Sequence, residues 1–116
     1  MIANPKVSVL IPTYNYAHFL DETIQSVLSQ TYHDYELIIV DNNSTDNTVE
    51  VVQKYLGDER ITFYQNPINL GLTGNWNKCL EYAQGDYIKF LCADDKFHPE
   101  MLAKFVTVMD ANPTYL

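Results

Sequence analysis

Two adjacent acids, Asp94 and Asp95, follow the strand-like stretch 86–91 and the short link Cys92-Ala93. Two carboxylates closing a buried strand are costly unless something positive meets them. A hard cation such as Mg2+ or Mn2+ takes one or two carboxylates and fills its remaining positions with phosphate oxygens and water. Asp is equally favoured just ahead of a helix, so the pair also reads as a helix cap. Metal ligand and cap both stand on the local sequence. Three other clusters have residue types suited to a ligand. Pro12-Thr13-Tyr14-Asn15 offers an aromatic ring for stacking and small polar groups for a ribose or phosphate. Asp41 and Asn42 present a carboxylate and an amide that could read the edge of a base, while Ser44, Thr45 and Asp46 read as turn and cap for the next helix. Gly71 closes the loop that begins at Asn66, and with Gly74 it flanks a helix start without forming a phosphate loop.

Other chemistries find less support. No strand opens onto Gly-x-Gly-x-x-Gly, which argues against a dinucleotide cofactor. His18, His33 and His98 share no metal-like spacing and read as surface or capping residues. Cys79 and Cys92 form no Cys-x-x-Cys unit and read as buried reduced thiols. Trp76 reads as core. No serine or cysteine has a histidine-activated nucleophile setting.

The elements that must position these clusters alternate. Val7–Ile11, Tyr35–Val40, Ile61–Tyr64 and 86–91 read as strands, the first stopping at Pro12. Helical spacing follows each one: Phe19, Leu20, Ile24, Val27 and Leu28; then Val49, Val52 and Leu56 up to Gly57; then Trp76, Cys79, Leu80 and Ala83; and last Met101, Leu102, Phe105, Val106 and Met109 from a start near His98-Pro99-Glu100. Four strand–helix units predict an α/β fold, a mainly parallel sheet with helices on both faces. Ligands of such sheets bind beyond the carboxyl ends of the strands, where strand order reverses. All four polar clusters fall there.

Charge narrows the ligand. With 15 acidic and 7 basic side chains the net charge is −8, which opposes nucleic-acid binding. A diphosphate then needs backbone amides at a helix start or a bound cation. The amino terminus has no signal-peptide pattern and no apolar run reaches the ~20 residues of a membrane helix. The cytoplasm is therefore the expected location, with the inner membrane face a site for peripheral association.

Taken in order, several segments resemble the inverting glycosyltransferases of family two, with the GT-A fold. They are Val7-Ser8-Val9-Leu10-Ile11-Pro12-Thr13-Tyr14-Asn15, Ser26-Val27-Leu28-Ser29-Gln30-Thr31-Tyr32, Glu36 through Asp46, Asn69-Leu70-Gly71 with Asn77, Gly85-Asp86-Tyr87-Ile88, and Ala93-Asp94-Asp95 with His98-Pro99. The resemblance covers essentially the whole chain and implies the Rossmann-like nucleotide-binding half of that fold. It implies that Pro12, Thr13, Tyr14, Asn15, Asp41, Asn42, Gly71 and Asn77 form the nucleotide site. Asp94 and Asp95 would occupy the DxD-type position, touching the ribose and the metal that bridges the diphosphate. The ends of strands one and four would lie side by side, with Thr13 near Asp94.

Three departures qualify the match. Cys92 takes the place of the first acid of many members. Asn42 stands where many have an aspartate that reads uracil, which leaves UDP-, dTDP- and GDP-sugars open as donors. The family's general base and most of its acceptor site lie beyond the metal motif, and only 21 residues follow Asp95 in a chain of 116. Residues 1–116 are thus expected to be a truncated, amino-terminal donor-binding part without the acceptor site, showing little or no transfer to a carbohydrate or glycolipid acceptor alone. A non-catalytic nucleotide-binding module would use the same strand ends. A receiver domain would need a lysine after a fifth strand, and none is present. An open sheet edge would favour self-association.

Overall fold

The computed structural model describes residues 3–112; residues 113–116 of the expected donor-binding part lie outside it. The elements run β1 (Val7–Thr13), α1 (Ala17–Leu28), β2 (Tyr35–Asp41), α2 (Thr48–Gln53), β3 (Ile61–Gln65), α3 (Gly71–Tyr82), β4 (Tyr87–Phe90) and α4 (Met101–Ala111). Strand side chains alternate between faces. In β1 and β2 this alternation divides a continuous apolar run between two cores. Val7, Val9, Ile11, Leu37 and Ile39 pack with Leu20, Ile24 and Val27 of α1, Val51 and Val52 of α2, and Leu102 and Val106 of α4. Leu10, Ile38 and Val40 point the other way, onto Cys79 of α3. Burial on both faces is why Val9–Ile11 and Leu37–Val40 are apolar without a break.

All pairings are parallel and the order is β3-β2-β1-β4. The chain therefore builds outward from β1 to β3 and returns to the far side of β1 with β4. Pro12 lies inside β1 rather than ending it, since its register partner is Val40. Pairing of β1 with β4 stops at Leu10–Phe90, so the missing N–H of Pro12 falls past the last rung on that side.

Helix boundaries and faces differ from the periodicity in places. The helix expected to run to Gly57 ends at Gln53, and Leu56 sits in the turns beyond it, exposed. Phe19 and Leu80 match the helical spacing of their neighbours yet are exposed, because α1 and α3 each lie on one face of a four-stranded sheet. Helix α4 starts at Met101, with Pro99 in the preceding turn.

A polar knot closes the amino-terminal end of the second core. Ser8 Oγ donates to Glu36 Oε2 at 2.5 Å, and the Gln84 N–H donates to the same oxygen at 2.7 Å. The Gly85 N–H in turn donates to Ser8 Oγ at 2.7 Å. The buried Glu36 carboxylate is thus hydrogen-bonded, as a buried acid must be. The close approach that permits this requires glycine: a Cβ at Gly85 would stand 2.6 Å from the Ser8 nitrogen and 2.8 Å from its Oγ. Gly85→Ala is expected to destabilise the fold by roughly 1–3 kcal/mol, the usual cost of overpacking. Urea unfolding would show a lower midpoint at an unchanged slope.

Candidate functional site

The four post-strand loops enclose a cavity of about 710 Å³, lined by Pro12, Thr13, Tyr14, Asn15, Tyr16, Asn42, Asn69, Gly71, Leu72, Asn75, Trp76, Cys92, Ala93 and Asp94. Each wall is held by a distinct set of hydrogen bonds. The loop after β1 is stapled to the loop after β2. Asn15, in the left-handed region at φ 55°, accepts on Oδ1 from the Thr45 N–H at 2.8 Å, while its own N–H donates to Ser44 Oγ at 2.8 Å. Asp46 bridges the starts of both following helices, accepting from the Ala17 N–H at 3.1 Å and from Thr48 Oγ1 at 2.5 Å and N–H at 3.1 Å. Burial opposes ionisation of Asp46, but these donors prevail and hold its carboxyl below the ordinary range.

The loop after β3 is organised around Asn42. Its Nδ2 donates to Asn69 Oδ1 at 2.9 Å and to the Gly71 carbonyl at 3.2 Å. Its Oδ1 accepts from Asn66 Nδ2 at 3.1 Å and from the Leu70 N–H at 2.8 Å. Asn66 Nδ2 also donates to Asn75 Oδ1 at 2.9 Å, and Asn75 Nδ2 reaches the Val40 carbonyl at 3.2 Å. An amide has two donors and two acceptor sites, so Asn42 is saturated. The Gly71 backbone, at φ 76°, turns the chain into α3, whose first N–H, that of Gly71, donates to Asn69 Oδ1 at 2.7 Å and whose first turn borders the cavity.

The loop after β4 is gripped by a polar row formed by Thr23 and Ser26 of α1 and Gln30 just past its end. Thr23 Oγ1 donates to the carbonyls of Ala93 and Asp95, at 2.9 and 2.6 Å. Ser26 Oγ accepts from the Phe97 N–H at 3.0 Å. Gln30 donates to the His98 carbonyl at 2.7 Å and accepts from the Leu102 N–H at 2.9 Å, meeting an orphan donor at the start of α4. His98 Nδ1 accepts from the Glu100 N–H at 3.2 Å, a capping role.

Of the residues singled out by sequence, Pro12, Thr13, Tyr14, Asn15, Asn42, Gly71 and Asp94 line this one cavity. Asp41 does not. It is fully buried, with its carboxylate taken up by the Ser44 N–H at 3.0 Å, the Ser44 hydroxyl and Gln65 Nε2 at 3.2 Å. Asn77 is on the exposed side of α3, one residue past Trp76. Asp95 is exposed outside the cavity lining and accepts from the Lys96 N–H at 2.8 Å. Neither acid of the pair caps α4. Trp76 is only partly buried, stacked on Phe90 at 4.1 Å between ring centroids, and forms a cavity wall instead of core. Cys92 is exposed, not buried; Cys79 is buried, and both are free. Sequence reading missed Asn75, and it placed Asn66 and Asn69 in the loop before α3 without giving either a role. It also passed over the Thr23-Ser26-Gln30 row, whose spacing of three and four sets polar groups along the apolar face of α1 and just past its end, and was a usable signal.

Two features define what the cavity can hold. Thr13 Oγ1, in a residue only 2% exposed, is a buried side-chain oxygen with no hydrogen-bond partner. Such a group calls for an explanation, because buried hydroxyls are otherwise paired. The lining contains no lysine or arginine, and its one charged side chain is Asp94. Among the described residues no cluster of three or more His, Cys, Asp or Glu forms a ready metal site. The donor set therefore fits a hard cation in one mode only, with Asp94 as the protein's carboxylate and ligand phosphates and water completing the shell. Nor is any helix among these residues long and apolar enough to cross a membrane.

The sequence profile of Glycosyl transferase family 2 matches residues 8–116. EpsE of Bacillus subtilis strain 168, described as a glycosyltransferase, is 39% identical over 117 residues, covering 99% of this chain and 42% of EpsE. The chain thus spans about two fifths of the length of the curated relatives it matches. Staphylococcus aureus TarS, crystallised with UDP, superposes with a TM-score of 0.85 at 31% identity over 91% of this chain and 32% of that one. Mannosyltransferase PcManGT from Pyrobaculum calidifontis, in complex with GDP-Man and Mn2+, gives a TM-score of 0.83 at 27% identity, again over 91% of this chain and 32% of that one.

The saturated amide of Asn42 makes a sharp prediction. Asn42→Asp replaces two donors by a carboxylate oxygen facing Asn69 Oδ1 and the Gly71 carbonyl, and should cost roughly 2–4 kcal/mol in denaturant unfolding. A neutral result would mean that the network is dispensable. For Asp46, whose folded pKa is depressed, the stabilisation is complete above the unfolded value of about 3.9 and is lost as pH falls through the folded one. Asp46→Ala is expected to be less stable than the parent by about 1 kcal/mol at neutral pH. That gap should close on acidification below about pH 4.

Proposed function

The chain belongs to glycosyl transferase family 2 and has its GT-A architecture, and from that premise we propose that residues 1–116 are the donor-binding part of a glycosyltransferase that takes a nucleotide-sugar. The observation that carries this reading is the unpartnered Thr13 hydroxyl, buried in a strand-end cavity that also holds the single acid Asp94. A nucleotide is the ligand class with the right parts. The rings of Tyr14, Tyr16 and Trp76 suit a base or ribose face. Thr13 Oγ1 supplies the polar contact that fixes orientation, and the amino-terminal end of α3 favours negative charge. UDP, UDP-GlcNAc and GDP-Man in the structural neighbours point to the same class.

A diphosphate in this cavity would meet no basic side chain, so Mg2+ or Mn2+ is the proposed cofactor, held by Asp94 and by the phosphates themselves. The Mn2+ in PcManGT supports the choice. The chemistry such an ion supplies when bound is Lewis-acid stabilisation of the departing diphosphate. This chain's own part is to seat the nucleoside, hold Asp94 through the grip of Thr23 on its loop, and exclude water behind Trp76 and Ala93. Inversion at the anomeric carbon needs a base to deprotonate the acceptor hydroxyl. Among the described residues none that lines the cavity suits that task, and we assign it, with the carbohydrate or glycolipid acceptor site, to sequence of the kind the relatives carry outside the matched share. The 116 residues alone are accordingly expected to bind donor and to transfer little. Action in the cytoplasm or at the inner membrane face belongs to the same proposal.

Calorimetric titration with UDP and GDP, with and without Mn2+, tests it: binding should require the metal, and Asp94→Asn should abolish that requirement together with most of the affinity. Thr13→Val removes the orphan hydroxyl. It should leave stability unchanged or raise it by about 1 kcal/mol while weakening UDP about tenfold. A hydroxyl without a ligand role would leave UDP affinity as it was.

A further inference from the structure

The two thiols of this chain lie in opposite surroundings. Cys79 is fully buried on α3 against Leu10, Ile38 and Val40, and burial pushes its thiol up to about 12. Cys92 is exposed and lines the cavity. Strand pairing puts it there. The Leu91 N–H donates to the Leu10 carbonyl at 2.9 Å, continuing the β1–β4 ladder one residue beyond Phe90 and bringing Cys92 to the end of β1. Pro12 and Thr13 line the same space. Thr13, whose buried Oγ1 has no hydrogen-bond partner, is thus a lining residue of the same space as Cys92.

We propose that Cys92 is a modification site that gates the cavity: a mixed disulfide between Cys92 and a low-molecular-weight thiol excludes the nucleotide. The proposal rests on the donor-binding reading above. The Cys92 sulfur attacks one sulfur of a small disulfide RSSR; the Cys92–SR bond forms, the RS–SR bond breaks, and the thiolate RS− leaves. A free thiol reverses the exchange, so no other oxidant or reductant is needed. The attached group then occupies the cavity at an effective concentration on the order of millimolar, because its tether starts in the wall. Cys79, sealed in the second core, is the internal control: exchange needs access to the sulfur.

Glutathione disulfide is the probe. Intact mass and peptide mapping of the treated chain should show a single adduct, on Cys92. UDP with Mn2+ should slow its formation about tenfold, and the purified adduct should bind UDP about tenfold more weakly or not at all. Dithiothreitol should restore binding. For Cys92→Ala, treated and untreated samples should bind alike, whatever their absolute affinity. An adduct that binds UDP as the untreated chain does, an adduct on Cys79, or no adduct would overturn the gate alone. Failure of the untreated chain to bind any nucleotide would overturn the donor-binding reading, and the gate with it.

Discussion

Strand β1 has a parallel neighbour on each side, β2 and β4, and the site depends on that arrangement. The backbone groups of β1 are consumed by the two ladders, but the pairing with β4 stops short of Pro12 and Thr13. Past that point β1 leads into α1 and β4 into the loop before α4, and a crevice opens where the order of strands reverses. Polar groups protruding into a crevice of this kind must find partners outside the sheet. Most find them in neighbouring loops: Asn15 in the Ser44–Asp46 turn, Asn42 in Asn66 and Asn69, and the carbonyls of Ala93 and Asp95 in Thr23. Thr13 finds none. Thr13 is also one of the residues that line the cavity.

Electrostatics sharpen the picture. The ion pairs of the described residues, such as Lys54–Asp21 and Arg60–Asp58, lie on the surface and involve no residue of the cavity lining. Pairs of this type contribute little to stability. Within the lining one carboxylate stands without a counter-charge. Under the proposed donor-binding reading, a diphosphate and its cation would enter beside Asp94 as one unit, each supplying what the other lacks.

The two central strands were legible because Val9–Ile11 and Leu37–Val40 are apolar on both faces, and the strand ends were legible because polarity returns there abruptly. The clustering of Pro12, Thr13, Tyr14, Asn42 and Asp94 follows from parallel pairing, which periodicity predicts. Which polar residue faces the ligand and which holds a loop was not legible. Asp41 and Asn42 are adjacent, yet one is sealed behind Ser44 and Gln65 and the other borders the cavity with its amide fully engaged. Asp41 is held by Ser44, three residues on, and by Gln65, 24 residues on, whereas every side-chain partner of Asn42 lies 24 to 29 residues away, beyond any local pattern. The same holds for Trp76, which helical spacing assigns to the core. The strip of sheet beneath it ends at β4, so the ring is left stacked on Phe90 at the cavity edge.

A crystal structure of the chain with UDP and Mn2+ would test the central claim most directly. The expected map has the nucleotide in the strand-end cavity, one of its oxygens within hydrogen-bond distance of Thr13 Oγ1, and the metal on the Asp94 carboxylate with diphosphate oxygens in its shell. Nucleotide bound elsewhere, with Thr13 Oγ1 satisfied by water and Asp94 unligated, would contradict it.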